Sequence, residues 1–207
     1  MSVRSKLALA AGAALTAAVT LTAAGSATAS GHVPTPDHRA GATYVALKGG
    51  KTTLSLDPGT AKALADNGIS VAPASEARVT SAGIAFPVQG GLLNAKTLAG
   101  KVTHSGGLTF SAGGKDLTIR DFTINTAKAT LTAYVDQVGA RVAVLDLNLK
   151  AAKVQVTKKH LTVGNVKAKL TSAAAGALNS YYNTSLFKGG LKVGTATVSA
   201  SSKILHR

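Results

Sequence analysis

His104 is the side chain best placed to do chemistry. It ends the run Gly100-Lys101-Val102-Thr103-His104-Ser105-Gly106-Gly107-Leu108-Thr109-Phe110, a glycine-bounded strand end where a backbone can approach a ligand closely. Taken alone, the residue also reads as a turn histidine satisfied by its neighbours. The other histidines, at 32, 38, 160 and 206, share no spacing with it that would converge on an ion, so no metal site is expected. With no cysteine in the chain, disulfides and thiolate ligands are excluded. Glu76 is the only glutamate, and Asp116, Asp121, Asp136 and Asp146 lack the spacing of a paired acid and base. No Gly-X-Ser-X-Gly elbow, HExxH pair or phosphate loop occurs. The chain reads as a non-enzyme with no catalytic residues; Asp116 and Asp121 could face one another across a bulge, but read as solvated strand-end carboxylates pairing with Lys115 and Arg120.

The elements that must position His104 are strands. Thr, Val, Gly and Ala dominate while aromatics are only 4%, which favours short pleated strands with tight turns. The expected fold is mainly β, a single antiparallel sandwich or barrel-like domain with two short Ala-rich helices. Thr43 to Lys48 and Thr52 to Leu56 alternate as strands joined through Gly49-Gly50. Further strands are expected at Ile69 to Ala72, Ala77 to Val88, Leu98 to His104, Leu108 to Ala112 and Leu117 to Asn125. In the last, Leu117 and Ile119 share a parity that Phe122 and Ile124 reverse, which predicts a β-bulge at Arg120-Asp121. Ala129 to Asp136 and Arg141 to Leu149 follow, then a hairpin through Lys158-Lys159-His160, and last Leu191 to Ser199, interrupted at Gly194. Asp57-Pro58 opens the first helix and Asn67-Gly68 stops it, while Thr171 or Ser172 caps the second, which runs to about Tyr182.

Residues 1–29 have the three parts of a secretory signal peptide: Arg4 and Lys6, an apolar run from Leu7 to Ala24, and Ala27-Thr28-Ala29 at the cleavage positions. Residues 30–42 read as a flexible leader and 43–207 as one β-rich domain. No second apolar run of spanning length follows, so the product is expected to be secreted, extracellular or held at the cell wall. Cleavage leaves 21 Lys and Arg against 8 Asp and Glu, a formal charge of +13. From Arg141 onward, eleven basic residues stand against Asp146 alone. Lys153, Lys158, Lys159, Lys167 and Lys169 form the candidate surface for anionic wall polymers, which is as readily explained by solubility or protection of a sheet edge. Aromatic interleaving is absent and Arg is rare, which argues against specific nucleic-acid reading.

Three runs carry a family resemblance: Phe86-Pro87-Val88-Gln89-Gly90-Gly91, Gly100 through Leu108, and Asp121-Phe122-Thr123-Ile124-Asn125-Thr126. Together they look like a pattern in secreted actinobacterial proteins and, more distantly, are similar to the HtaA family of haem-binding surface domains. That resemblance implies a β-rich fold, a small hydrophobic ligand and haem as the one cofactor to consider, with a tyrosine on the iron and a histidine beside it. His104 matches the histidine motif, and Ala173 to Gly194 is like the closing segment. The opening Trp-Gly motif with its downstream tyrosine is missing, since the chain has no Trp. Tyr44, Tyr181 and Tyr182 are thus the alternative ligand-binding tyrosines beside His104. Phe86, Phe110, Phe122 and Phe187 could line an apolar slot, but they are also needed as core.

Overall fold

A computed structural model describes residues 42–206; the expected signal peptide and all of the leader but Ala42 lie outside the described residues. The order is β1 (Thr43–Leu56), α1 (Pro58–Asp66), β2 (Ser70–Ala74), β3 (Arg78–Thr80), β4 (Gly83–Asn94), β5 (Gly100–His104), β6 (Gly107–Ala112), β7 (Lys115–Asn125), β8 (Thr130–Val135), β9 (Ala140–Asn148), β10 (Lys153–Val156), β11 (His160–Leu170), α2 (Ser172–Tyr182) and β12 (Lys192–His206). Every pairing is antiparallel. Eight strands close a ring in the order β7-β5-β4-β1-β12-β11-β9-β8, and β8 pairs back onto β7. Strands β6, β2, β3 and β10 hang on this barrel as extensions, β6 on β7, β2 on β6, β3 on β4 and β10 on β11. No helix among the described residues is long and apolar enough to cross a membrane.

The caps form where the side chains allow them. Asp57 accepts from the Thr60 amide with Pro58 opening α1, and Thr171 accepts from the Ala174 amide at 3.1 Å to start α2. Both satisfy amides that an uncapped helix start would leave bare. The Lys192 ammonium, 2.6 Å from Asp57, holds that carboxyl below its usual range. The bulge expected at Arg120-Asp121 is present: the β7–β8 register shifts between Arg120 and Thr123, and Asp121 sits at φ 54°. The β10–β11 hairpin also forms, with Val166, Ala168 and Leu170 buried while Lys167 and Lys169 are exposed.

Three expected boundaries differ. Gly49-Gly50 does not join two strands; β1 runs through it and takes one extra residue against β12, because Gly50 at φ 125° lets the Ser199 carbonyl and Ala200 backbone close on it. Ala77 to Val88 is not one strand but the β3–β4 hairpin, reversed at Gly83 (φ 125°), where Thr80 Oγ1 donates to the Gly83 carbonyl at 2.8 Å. The alternating pattern continued through Ser81-Ala82 and concealed the turn. Gly194 does not end β12, which runs from Lys192 to His206, but the interruption survives as a register slip beside it: Ala168 pairs with Gly194 and Lys169 with Lys192, which leaves Val193 as an extra residue, and the pairing with β1 stops at Gly194. There the missing side chain admits the Ser55 carbonyl on one side and Ala168 pairs on the other.

Gly194→Ala is therefore expected to cost about 2 kcal/mol, because its Cβ would run into backbone rather than a movable side-chain end. Gly164→Ala, with nothing within 4 Å of its Cβ, should change stability by less than about 0.5 kcal/mol. Urea midpoints of the two variants at equal slope check the contrast.

Candidate functional site

His104 is carried inward by simple alternation on β5, where Val102 and His104 are buried and Lys101 and Thr103 exposed. Immediately after it the chain changes neighbours. Val88↔His104 is the last β4–β5 pair, and from Gly107 onward the chain pairs with β2 instead, keeping β7 on its other side. Gly106 makes the change possible: at φ 82° a Cβ there would sit 2.6 Å from the Ala77 nitrogen. The β7 bulge lies opposite, and the Asp121 amide donates to the Gly106 carbonyl at 3.0 Å. The bulge turns Phe122 inward beside His104, and Phe122 meets Phe86 edge-on with ring centroids 5.0 Å apart.

A cavity of about 510 Å³ runs through the barrel interior behind His104. Its wall is almost wholly apolar and includes Phe86, Phe110, Phe122 and Phe187, so these rings are core and lining at once. Helix α1 contributes Thr60 and Leu64, and α2 contributes Ala174, Ala177, Leu178 and Tyr181. The size falls within the range of small-molecule pockets, and an eight-stranded barrel is about wide enough to hold one small ligand.

His104 is only 4% exposed, and its Nε2 lies 2.7 Å from Thr52 Oγ1. Nδ1 has no hydrogen-bond partner, and the Phe122 backbone lies close to the ring. Burial pushes the imidazole down to about 4, with the Phe122 backbone pulling weakly the other way. The ring is therefore neutral near pH 7.

The sequence model of the HtaA family matches residues 62–186, more than half of the chain. The chain belongs to the HtaA family. Among solved structures it is similar to the C-terminal domain of HtaA from Corynebacterium glutamicum, at 14% identity over 76% of this chain and 99% of that one, with a TM-score of 0.58. A domain-swapped dimer of a histidine-to-alanine variant of the same domain matches at 17% identity, 69% and 90% coverage and a TM-score of 0.51. The haem-binding protein HtaB from the same organism aligns at 12% identity, 79% and 98% coverage and a TM-score of 0.44. Comparison with curated proteins finds no match.

In this HtaA-family barrel the candidate residues separate. His104 and Tyr181 line one cavity, while Tyr44 and Tyr182 are outside its lining. Tyr44 alternates with buried Val45 on β1, opposite Asn94 and Leu205. The Tyr181 hydroxyl donates to the Asp116 carbonyl at 2.6 Å and the Tyr182 hydroxyl to the Phe110 carbonyl at 2.8 Å, so both fasten α2 to the β6–β7 hairpin. Lys115 reinforces this by donating to the Tyr181 carbonyl at 3.0 Å. Burial, with Tyr181 and Asp116 beside it, pushes the Tyr182 phenol up to about 12.

Lys153, Lys158, Lys159, Lys167 and Lys169 are all exposed, and none has an ion-pair partner among the described residues. They are strung along the β10–β11 hairpin from its turn to the α2 end. Arg120, not a lysine, gathers the carboxylates, with Asp121 at 2.6 Å and Asp136 at 2.7 Å; Tyr134 lies under its guanidinium.

Thr52 was not singled out by sequence reasoning. Its signal was available: it shares inward parity with Leu54, and a hydroxyl at such a position needs a partner. Its presence also decides how haem fits. The apolar cavity suits a macrocycle, but the hydroxyl beside His104 belongs to Thr52, an aliphatic alcohol, and no tyrosine takes that place. The residues do not fit an iron held by a tyrosine that His104 contacts.

The buried imidazole makes stability pH-dependent. The unfolded chain protonates His104 near 6.5 and the folded chain only near 4, so the contribution is whole above about pH 6.5 and is lost as pH falls towards 4. The expected loss between pH 7 and pH 4 is about 3 kcal/mol from this residue. Urea unfolding at both pH values should show that loss in the wild type and its disappearance in His104→Leu.

Proposed function

We propose that this chain is a non-enzymatic binding domain that carries a hydrophobic small molecule, haem or another of similar apolar bulk, inside its barrel against His104. The observation that carries the reading is the cavity of about 510 Å³, apolar throughout its lining except for a few groups that include a buried, half-satisfied histidine. Apolar surface withdrawn into it is stabilised by about 25 cal/mol per Å². A single polar contact then supplies orientation. Membership of the HtaA family supports haem or a relative of it as the class of ligand.

The pairing of Thr52 with His104 has the first two parts of a nucleophile and base relay and lacks the third, since nothing orients Nδ1. A base at about 4 is also a poor proton acceptor near pH 7. Both points support binding over catalysis. Residues 1–29 have the build that directs a chain out of the cytoplasm, which supports a secreted protein of the cell envelope.

Titration with haemin and with the fluorescent apolar amine N-phenyl-1-naphthylamine tests the reading. At least one is expected to bind saturably at one per chain, and Ala177→Trp, which sets an indole on the α2 wall of the cavity, should weaken that binding tenfold or more. Silence from both probes removes the proposal.

The unpaired lysines along β10 and β11 favour a second reading, in which anionic wall polymers retain the protein by charge alone. Such retention should be lost in about 1 M salt, where screening acts within a few ångströms. A sedimentation assay with purified wall polymer checks it, and binding that persists at that salt counts against charge.

A further inference from the structure

The cavity wall offers a ligand almost nothing polar to hold. Thr60 Oγ1 donates to the Lys192 carbonyl at 2.5 Å and Thr126 Oγ1 to the Leu98 carbonyl at 2.6 Å. The Gln137 side chain bridges the Asp116 carbonyl and the Thr118 amide, the Tyr181 hydroxyl donates to the Asp116 carbonyl, and Thr52 is paired with His104 Nε2. His104 Nδ1 lacks a partner but is sealed from the cavity. No Lys, Arg, Asp or Glu among the described residues lines the space.

The space is long, and it opens at one end. Its wall runs from Val138, ahead of β9, to Leu149, beyond it. The nine residues of β9 span roughly 30 Å along the strand and, at the usual barrel tilt, roughly 20 Å along the axis. A volume of about 510 Å³ drawn over that length is several times longer than wide. The lining residues that are exposed, Gln137, Val138, Ala143, Ala173 and Ala177, all belong to α2 or the β8–β9 hairpin, and Val138 is 64% exposed. Leu93 and Leu161, towards the other end, are buried. Two anchors frame the opening: Thr171 Oγ1 donates to the Ala143 carbonyl at 3.0 Å, and the Asp116 carbonyl accepts from both Tyr181 and Gln137.

We infer that the ligand is a single-chain amphiphile, a long-chain monocarboxylate being the simplest case, which enters tail first between α2 and the β8–β9 turn and leaves its charged end in water there. The inference rests on the barrel-binding reading and names its ligand class. A charge carried inside would find neither a counter-charge nor a free hydrogen bond, so the buried part is hydrocarbon. A linear tail touches the wall at every level of the barrel, whereas a compact molecule of equal bulk touches it at one. Lys115 stands at the mouth, its ammonium 5.7 Å from the Tyr181 ring centroid and donating to the Tyr181 carbonyl. Asp116 beside it carries the opposite charge, so the tail supplies the affinity.

The test loads the full chain with N-phenyl-1-naphthylamine and displaces it with saturated fatty acids of about 8 to 18 carbons, each below its micelle concentration. Displacement is expected to tighten about threefold per added methylene and to level off near about 16 carbons, where a rise of about 1.25 Å per carbon fills the axis. Hexadecanedioic acid, which would carry a second charge inward, should displace about a hundredfold more weakly than hexadecanoic acid. The chain has no cysteine, so Val138→Cys and Val79→Cys each place one thiol, the first at the mouth and the second on an exposed strand away from the lining. A bulky maleimide on the first should slow displacement about tenfold, and on the second should leave it unchanged. Affinity that ignores chain length, or a diacid as tight as the monoacid, overturns the inference and leaves the binding reading standing; equal rates with the two labels overturn the entry between α2 and the turn. Failure of every apolar probe to bind overturns the binding reading itself.

Discussion

The hydrogen bond from the Asp121 amide to the Gly106 carbonyl holds the corner on which the rest of the fold depends. At that corner β5 gives up β4, β6 takes up β2, and β7 absorbs an extra residue so that its two halves still face inward. Without the bulge, Phe122 and Ile124 would face outward whenever Leu117 and Ile119 faced in. Without the glycine, the backbone at Ala77 could not come so close. One contact thus keeps β7 continuous enough to pair with β8 and close the ring, and it delivers His104 to the interior at the point where the sheet divides.

What could be read from sequence was local. The parity break at Arg120-Asp121, the caps at Asp57 and Thr171, and the outward Lys167 and Lys169 each follow from a few adjacent side chains, and each stands in the structure. Ring closure was not legible in the same way, because β7 and β8 meet through pairings that no short window of residues specifies. The Ser81-Ala82 reversal was hidden because neither residue is a strong turn former and the glycine that does the work follows them. Thr52 was passed over because strands rich in threonine make any single one inconspicuous. Its meaning depends on His104, which lies 52 residues away along the chain and one hydrogen bond away in space.

The interior combines two requirements that oppose each other. Closing a barrel over large apolar side chains favours tight packing, whereas the space behind His104 leaves dispersion contacts unmade. Leaving Nδ1 unpaired in that setting costs about 1–3 kcal/mol. Such a cost is tolerable for a chain of this length with two extended apolar clusters around the ring.

The attachment of α2 has its own consequence. Tyr181 and Tyr182 hang from the carbonyl oxygens of Asp116 and Phe110, which belong to the main chain. Replacing either acceptor residue would change a side chain and leave the acceptor atom where it is. The end wall of the barrel is thereby insulated from drift in the β6–β7 hairpin, and diverging relatives can rewrite that hairpin's surface without loosening the helix above it.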